Sequence, residues 1–359
     1  MKVCIVGDSL VSLTLAKTLV NEGIHVDLIY DYSTKIINKT RTIGITKTNI
    51  NFFNKKILDI SKLSWKINKI EIFLEKFKKK KVLNFDNNKK YLFSIIKNHR
   101  LYEILNNCLK NDKFFKRKKF LTNKFLNNDT YQLIINCDQK SSLTKKFFYK
   151  KINKNYNSKA YVTIIKHKKI TQNNIAYQIF TELGPVAFLP VSDAETSIVY
   201  SIKKNTKKLK KIEIFNLIKK YNPKYSIMKI ENVESFHLVS SNLRYYYHNN
   251  ILAFGDLLHK IHPLAGQGFN MCIRDIKQLL QIIKNKTSLG LEIDSSVCLD
   301  FENKSKHKNY LFSSGIDFIY EFFNLESSMK DNRLGKVVEF FGKNKSLKNF
   351  VTKFADDGF

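Results

Sequence analysis

The chain has 359 residues, is 43% apolar, and carries 63 basic against 31 acidic side chains for a formal charge of +32. That length supports two domains with sizeable cores, and the five scattered cysteines, never in a C-x-x-C pair, point away from a disulfide framework or a metal site and toward a reducing cytoplasm. The charge is strewn along the chain as lysine, with runs such as Lys78–Lys81 and Lys207–Lys211 read as solvated faces, so nucleic acid is excluded as a partner; what remains is association with the anionic inner face of a membrane.

Residues 3–7 read as a short buried strand, Leu10 to Val20 as a helix, and Val26 to Tyr30 as a second strand. The turn between strand and helix, Gly7-Asp8-Ser9-Leu10-Val11-Ser12, aligns with G-x-G-x-x-G but keeps the first glycine alone. Serine is small enough to let backbone approach a pyrophosphate at a helix N-terminus, so Gly7, Ser9 and Ser12 are candidate nucleotide contacts. A parallel sheet without nucleotide fits this opening equally well. At the end of the second strand, where an acidic residue would meet a ribose, stands Tyr30, with Asp31 beside it.

A hairpin is expected from Ile70–Leu74 and Val82–Phe85, a helix from His99 to Leu109, and a strand from Tyr131 to Cys137. From 160 to 240 the pattern turns to strands, at Ala160–Lys166, Ala176–Glu182, Val186–Pro190, Thr196–Ile202 and Glu231–Leu238, with a helix at 207–221. This is a sheet-rich second domain inserted into the first. Residues 251–256 form a buried strand ending in Asp256, and a loop then leads into a helix reaching about Ile283. The remainder is helical, with Phe312, Ile316, Ile319, Tyr320 and Phe323 on one core-facing stripe.

The segment Gly255-Asp256-Leu257-Leu258-His259-Lys260-Ile261-His262-Pro263-Leu264-Ala265-Gly266-Gln267-Gly268-Phe269-Asn270-Met271-Cys272-Ile273-Arg274-Asp275 resembles the second flavin motif of class A flavin monooxygenases. Around it, residues 180–193 (Phe180 to Asp193) are similar to a stretch of the ubiquinone-biosynthesis hydroxylases within that superfamily. Arg41-Thr42-Ile43-Gly44, Asn98-His99-Arg100, Arg244 and Arg333-Leu334-Gly335 fall in the same order, so the resemblance spans nearly the whole chain.

The resemblance implies an α/β fold: a Rossmann-like FAD-binding domain of the para-hydroxybenzoate-hydroxylase type, an inserted mainly β substrate domain, and a helical C-terminus. The corresponding boundaries are 1–60, 91–150 and 245–290 for the discontinuous FAD domain, 61–90 and 151–244 for the substrate domain, and 291–359 for the helical region. It implies FAD as cofactor, NADPH or NADH as reductant, and an aromatic-ring hydroxylation by oxygen activated on the flavin. The implied substrate is a polyprenylated phenol or quinone precursor, with O2 as co-substrate and other ubiquinone-biosynthesis proteins as partners. The alternative is a non-catalytic or differently reacting flavoprotein, or a lipid-presenting subunit, of the same pathway.

Asp256 is then expected to hold a ribityl hydroxyl, while Pro263, Gly266, Gln267 and Gly268 lay backbone against the isoalloxazine and lead through Phe269 and Asn270 into the helix. Arg100 and Arg41 would lie near the flavin's phosphates and ring. No side chain is assigned proton transfer, His259 and His262 included. The family's Asp-Gly fingerprint reads here Asp138-Gln139, with Lys145 where an arginine is usual.

Overall fold

The computed structural model describes residues 1–30, 38–75, 81–86, 91–119, 131–203, 209–263 and 266–328. Asp31, Lys78 to Lys80, Lys207, Lys208, Leu264, Ala265 and Arg333-Leu334-Gly335 lie outside the described residues, as does everything after Ser328. In chain order the first half comprises β1 (Lys2–Val6), α1 (Leu10–Asn21), β2 (His25–Tyr30), β3 (Thr42–Thr46), α2 (Lys47–Lys56), β4 (Trp65–Ile67), β5 (Lys69–Leu74), β6 (Lys81–Asp86), β7 (Phe93–Lys97), α3 (Asn98–Lys110), β8 (Phe115–Lys119), β9 (Leu133–Asn136) and α4 (Ser142–Phe147). The second half comprises β10 (Lys151–His167), β11 (Ile175–Thr181), β12 (Gly184–Pro190), β13 (Glu195–Lys203), α5 (Lys211–Tyr221), β14 (Ile227–Ile230), β15 (Glu234–Leu243), β16 (Tyr247–His248), β17 (Ile251–Ala253), β18 (His259–Lys260), α6 (Gly268–Ser288) and α7 (Ser295–Ser328).

These strands make three sheets. The first has the order β16-β17-β9-β1-β2-β8, with β1 parallel to β2 and β9, β9 to β17, and β2 to β8. Its inner strands β1, β9 and β17 are apolar runs such as Leu133-Ile134-Ile135, as a parallel sheet covered on its faces requires. One large core joins them to Leu13, Leu19, Leu101, Leu105, Ile276 and Phe301 from the surrounding helices. The second sheet runs β18-β15-β10-β13-β12-β11-β5-β6, with β14 added at β10. A small antiparallel sheet, β3-β7-β4, lies between the two: Thr42 Oγ1 donates to Ser197 Oγ at 2.8 Å, and Lys97 pairs with Glu195 at 2.6 Å.

The two faces of the large sheet differ. Strand alternation sends Ile165, Tyr177, Ile179, Phe188, Ile198, Tyr200 and Ile202 to one side, where they pack on Ile214, Ile218 and Tyr221 of α5. The opposite face carries Ala160, Val162, Ala187, Ser197 and Ser201, all buried and mostly small. That face meets Tyr320 of α7 beside Ala160 and Leu238.

The expected strands and helices recur, with Glu231–Leu238 displaced to β15 (Glu234–Leu243), while α2, α4, β8, β14, β16 and β18 had not been expected. β10 extends nine residues N-terminal of Ala160, because Lys151–Lys159 is too rich in Lys and Asn to show alternation; its ladder with β15, interrupted by a bulge between Asn155 and Lys159, holds it. The small sheet was not foreseen, since each of its strands is three to five residues long and β3 contains Gly44. In α7, Phe312, Ile316 and Tyr320 are buried as the stripe predicts.

Candidate functional site

Three adjacent parallel strands, β1, β9 and β17, end together, and the residues that follow them are Gly7, Asp138 and Gly255-Asp256. The carboxyl ends of strands in an open α/β sheet are where ligands bind. Gly7 has φ +110°, and a Cβ there would stand 3.1 Å from Cβ of Asp138. Gly255 has φ +66°, and its Cβ would stand 3.0 Å from Cγ1 of Val11. Both positions therefore require glycine for conformation and for close approach. Gln139, the departure from Asp-Gly, donates its amide to the Asp256 carbonyl at 2.7 Å, a tether between two of the three segments that glycine cannot make.

At the first turn the two serines cap each other. Ser9 Oγ accepts from the Ser12 backbone N–H at 3.1 Å, and Ser12 Oγ accepts from the Ser9 N–H at 3.2 Å. This reciprocal box anchors α1 but spends two backbone donors that a glycine-rich turn would leave for phosphate. Ser12 Oγ is also a neighbour of the Cys137 thiol, which burial pushes up to about 12.

The second segment is built differently. Asp256 is exposed on the turn after β17, and its backbone carbonyl is used by Gln139. Gly266 has φ +64° and brings the loop against Gly44 of β3, where a Cβ would stand 3.4 Å from the Gly44 nitrogen. Gln267 is buried and its Oε1 has no hydrogen-bond partner among the described residues. Around Gly268, at the N-terminus of α6, a Cβ would meet nothing within 4 Å. Pro263 accepts the Gly266 N–H at 3.1 Å, and Phe269 buries its ring in the main core.

Asn270 is fully occupied by protein. Its Oδ1 accepts from the Thr46 N–H and from Asn49 Nδ2, each at 3.0 Å, while its Nδ2 donates to the Gly44 carbonyl at 3.0 Å. It ties α6 to β3 and sets the loop's height over the small sheet.

Both loop histidines are buried. His259 Nε2 lies 2.5 Å from Asp275, whose other oxygen accepts from Asn309 at 2.9 Å, so the pair joins β18, α6 and α7. His262 packs between Tyr156 and Tyr320, with ring centroids 4.8 and 4.1 Å away, and burial lowers its pKa to about 3. Neutral at physiological pH, it is a packing element next to the loop.

Arg41 and Arg100 stand on neighbouring segments, since the Asn98 N–H donates to the Arg41 carbonyl at 3.0 Å. Both side chains are exposed: Arg41 lies 5.8 Å over the Phe236 ring, and Arg100 makes a 3.8 Å pair with Glu103 of its own helix. Sequence reasoning missed the Gln139 tether, Asn49, and a cluster of Asp8, Tyr102 and Arg117 beside the first turn. The bias toward lysine was the available signal for Arg117.

The residues fit FAD: positive-φ glycines at two of three adjacent strand ends, open space at the α6 N-terminus, and a buried amide oxygen without a partner among the described residues. Residues 132–287 match the family model described as FAD binding domain. A "Ubiquinone biosynthesis monooxygenase COQ6, mitochondrial" of Danio rerio is 24% identical over 205 residues, 46% of this chain and 42% of that protein. The "3-demethoxyubiquinol 3-hydroxylase" of Escherichia coli is 30% identical over 154 residues, 41% of this chain and 39% of that protein. The chain spans about half the length of the curated relatives it matches. Among solved structures, p-nitrophenol 4-monooxygenase PnpA of Pseudomonas putida superposes with TM-score 0.79 at 10% identity, covering 99% of this chain and 98% of that one. HpxO of Klebsiella pneumoniae, complexed with FAD and uric acid, gives 0.75 at 10% identity, covering 100% and 96%. The fold is thus that of the FAD-dependent aromatic monooxygenases.

Proposed function

We propose, on the premise that this chain is a flavoprotein of the ubiquinone-biosynthesis monooxygenase kind, that it hydroxylates the aromatic ring of a polyprenylated phenol or quinone precursor using O2 and NADPH or NADH. The observation that carries the reading is the meeting of the 255–270 loop with the small-residue face of the large sheet. Tyr156, on the same face as Ala160, touches His262, which directly precedes Pro263 of that loop.

FAD, when bound, would supply the redox and oxygen-activating chemistry. The chain's own residues do the rest. Asp256, exposed at the strand end, holds a ribityl hydroxyl. Pro263, Gly266, Gln267 and Gly268 would give a backbone surface for the isoalloxazine, and the N–H groups at the start of α6 would favour negative charge beside them. Gly7, Ser9 and Ser12 line the pyrophosphate, with Arg41 and Arg100 as nearby cations. Phe269 and Asn270 act by anchoring the loop from behind. The substrate ring and the start of its prenyl chain would lie along the sheet face that carries the small, buried Ala160, Val162, Ala187, Ser197 and Ser201.

A polyprenylated substrate is drawn from lipid, and an exposed patch suits that. Tyr149 and Tyr245 are 64% and 56% exposed, and Lys150 lies 5.9 Å from both ring centroids. Lys306 lies 5.4 Å from the Tyr245 ring, and Tyr310 follows one turn along α7. Aromatic rings interleaved with lysine match an anionic lipid surface. No helix among the described residues is long and apolar enough to cross a membrane.

The test is to supply the flavin-loaded protein with a short-chain prenylated phenol, NADPH or NADH, and 18O2. A product heavier by one labelled oxygen supports the reading. Flavin reduction with unchanged phenol, under all nicotinamide and ring choices, supports instead the non-catalytic or lipid-presenting alternative.

A further inference from the structure

Arg117 is the arginine that none of the recognised motifs absorbs. It lies on β8, which pairs with β2 at the edge of the nucleotide sheet. Its guanidinium reaches Asp8, Nη2 to Oδ1 at 2.6 Å. The Tyr102 hydroxyl of α3 donates to the same oxygen at 2.7 Å, and the guanidinium also covers the Tyr30 ring at 5.4 Å. Asp8 therefore collects donors from two elements outside its own turn.

The place of Asp8 makes this arrangement informative. It stands between Gly7 and the N-cap Ser9, inside the turn that would face the diphosphate of FAD. A carboxylate there opposes an incoming dianion, and the Ser9–Ser12 box has already removed two backbone donors from that turn. The turn as written in sequence is poorly suited to phosphate.

We infer that Arg117 and Tyr102 mask the charge of Asp8 and so make the Gly7–Ser12 turn competent for the FAD diphosphate. The inference rests on the flavin reading above. Both are positioning residues that act through Asp8 and need not touch the cofactor. Burial and the bond to Asp8 push the Tyr102 hydroxyl up to about 12, so it stays a donor at physiological pH.

The test is a set of FAD titrations, read by flavin fluorescence quenching, on the wild-type chain, Arg117→Leu, Asp8→Asn, and Asp8→Asn/Arg117→Leu, with ADP competition as a second readout. Arg117→Leu is expected to weaken FAD and ADP by about tenfold, as an unscreened charge near a phosphate does. Removing the carboxylate should rescue it, bringing the double variant to within roughly threefold of wild type. An Arg117→Leu chain that binds FAD normally overturns the inference. So does a double variant as weak as Arg117→Leu, since Arg117 would then act directly on phosphate or on folding. Should Arg117→Leu fail to fold, Tyr102→Phe with and without Asp8→Asn makes the same comparison. A wild-type chain that binds no FAD overturns the flavin reading itself, which distinguishes the two failures.

Discussion

The two glycine-marked segments of the site are held in place by opposite routes. In the 255–270 loop the motif is intact, and the protein invests in holding it from behind: Asn270 bonds Gly44, Thr46 and Asn49, and His259 pairs with Asp275. In the Gly7–Ser12 turn the first glycine alone is kept, and side chains make up the difference: the serines cap each other, and Asp8 is bonded from β8 and α3. A motif can thus lose its letters where side chains can satisfy the backbone locally. It keeps them where a positive φ and a near-contact coincide, as at Gly255 and Gly266.

The comparison breaks most severely at Asn270. Asn270→Leu strands a buried N–H, a carbonyl and the Asn49 amide, and should cost on the order of 3 kcal/mol in denaturant unfolding. A cost below about 1 kcal/mol would mean the loop is held by other contacts. Next is His262. Its pKa is depressed from 6.5 to about 3 by burial, so the unfolded chain binds the proton more readily than the folded one. Stability is then fully present above the unfolded value and falls as pH drops from it toward the folded one, by about 2 kcal/mol at pH 5. A His262→Phe chain should show a flatter acid limb over that window, measured by unfolding at stepped pH.

Gly255→Ala should destabilise by about 1.5 kcal/mol through its left-handed backbone and the contact with Val11. Adding Val11→Ala should recover the steric share and leave the backbone share. Asp256→Ala changes an exposed carboxylate, so unfolding should be nearly unaffected while the Kd for FAD rises by about tenfold, roughly 1.4 kcal/mol. The smallest effect is expected at Ser9→Gly. It should lose a few tenths of a kcal/mol of helix capping and tighten FAD slightly by freeing the Ser12 N–H. Weaker FAD binding in Ser9→Gly would show that the serine cap itself shapes the phosphate site.

The parallel sheet was legible because β1 and β9 are unbroken apolar runs, and α1 and α3 because their apolar residues recur at helical spacing. The 255–270 loop was legible because its glycines and Asp256 stand at fixed intervals. What stayed hidden is long-range: Gln139 reaches across 117 residues to Asp256, Asn270 across more than 220 to β3, and Arg117 across 109 to Asp8. No local pattern encodes such pairings. The N-terminal half of β10 was hidden for a different reason, since its lysines and asparagines face solvent where no alternation is selected.

The central claim is that this site holds FAD in a redox-competent state. Its most direct test is the visible spectrum of the purified chain during titration with FAD, followed by anaerobic addition of NADPH or NADH. The account predicts a perturbed, saturable flavin spectrum that bleaches with a nicotinamide. A spectrum identical to free FAD at saturating cofactor would contradict it.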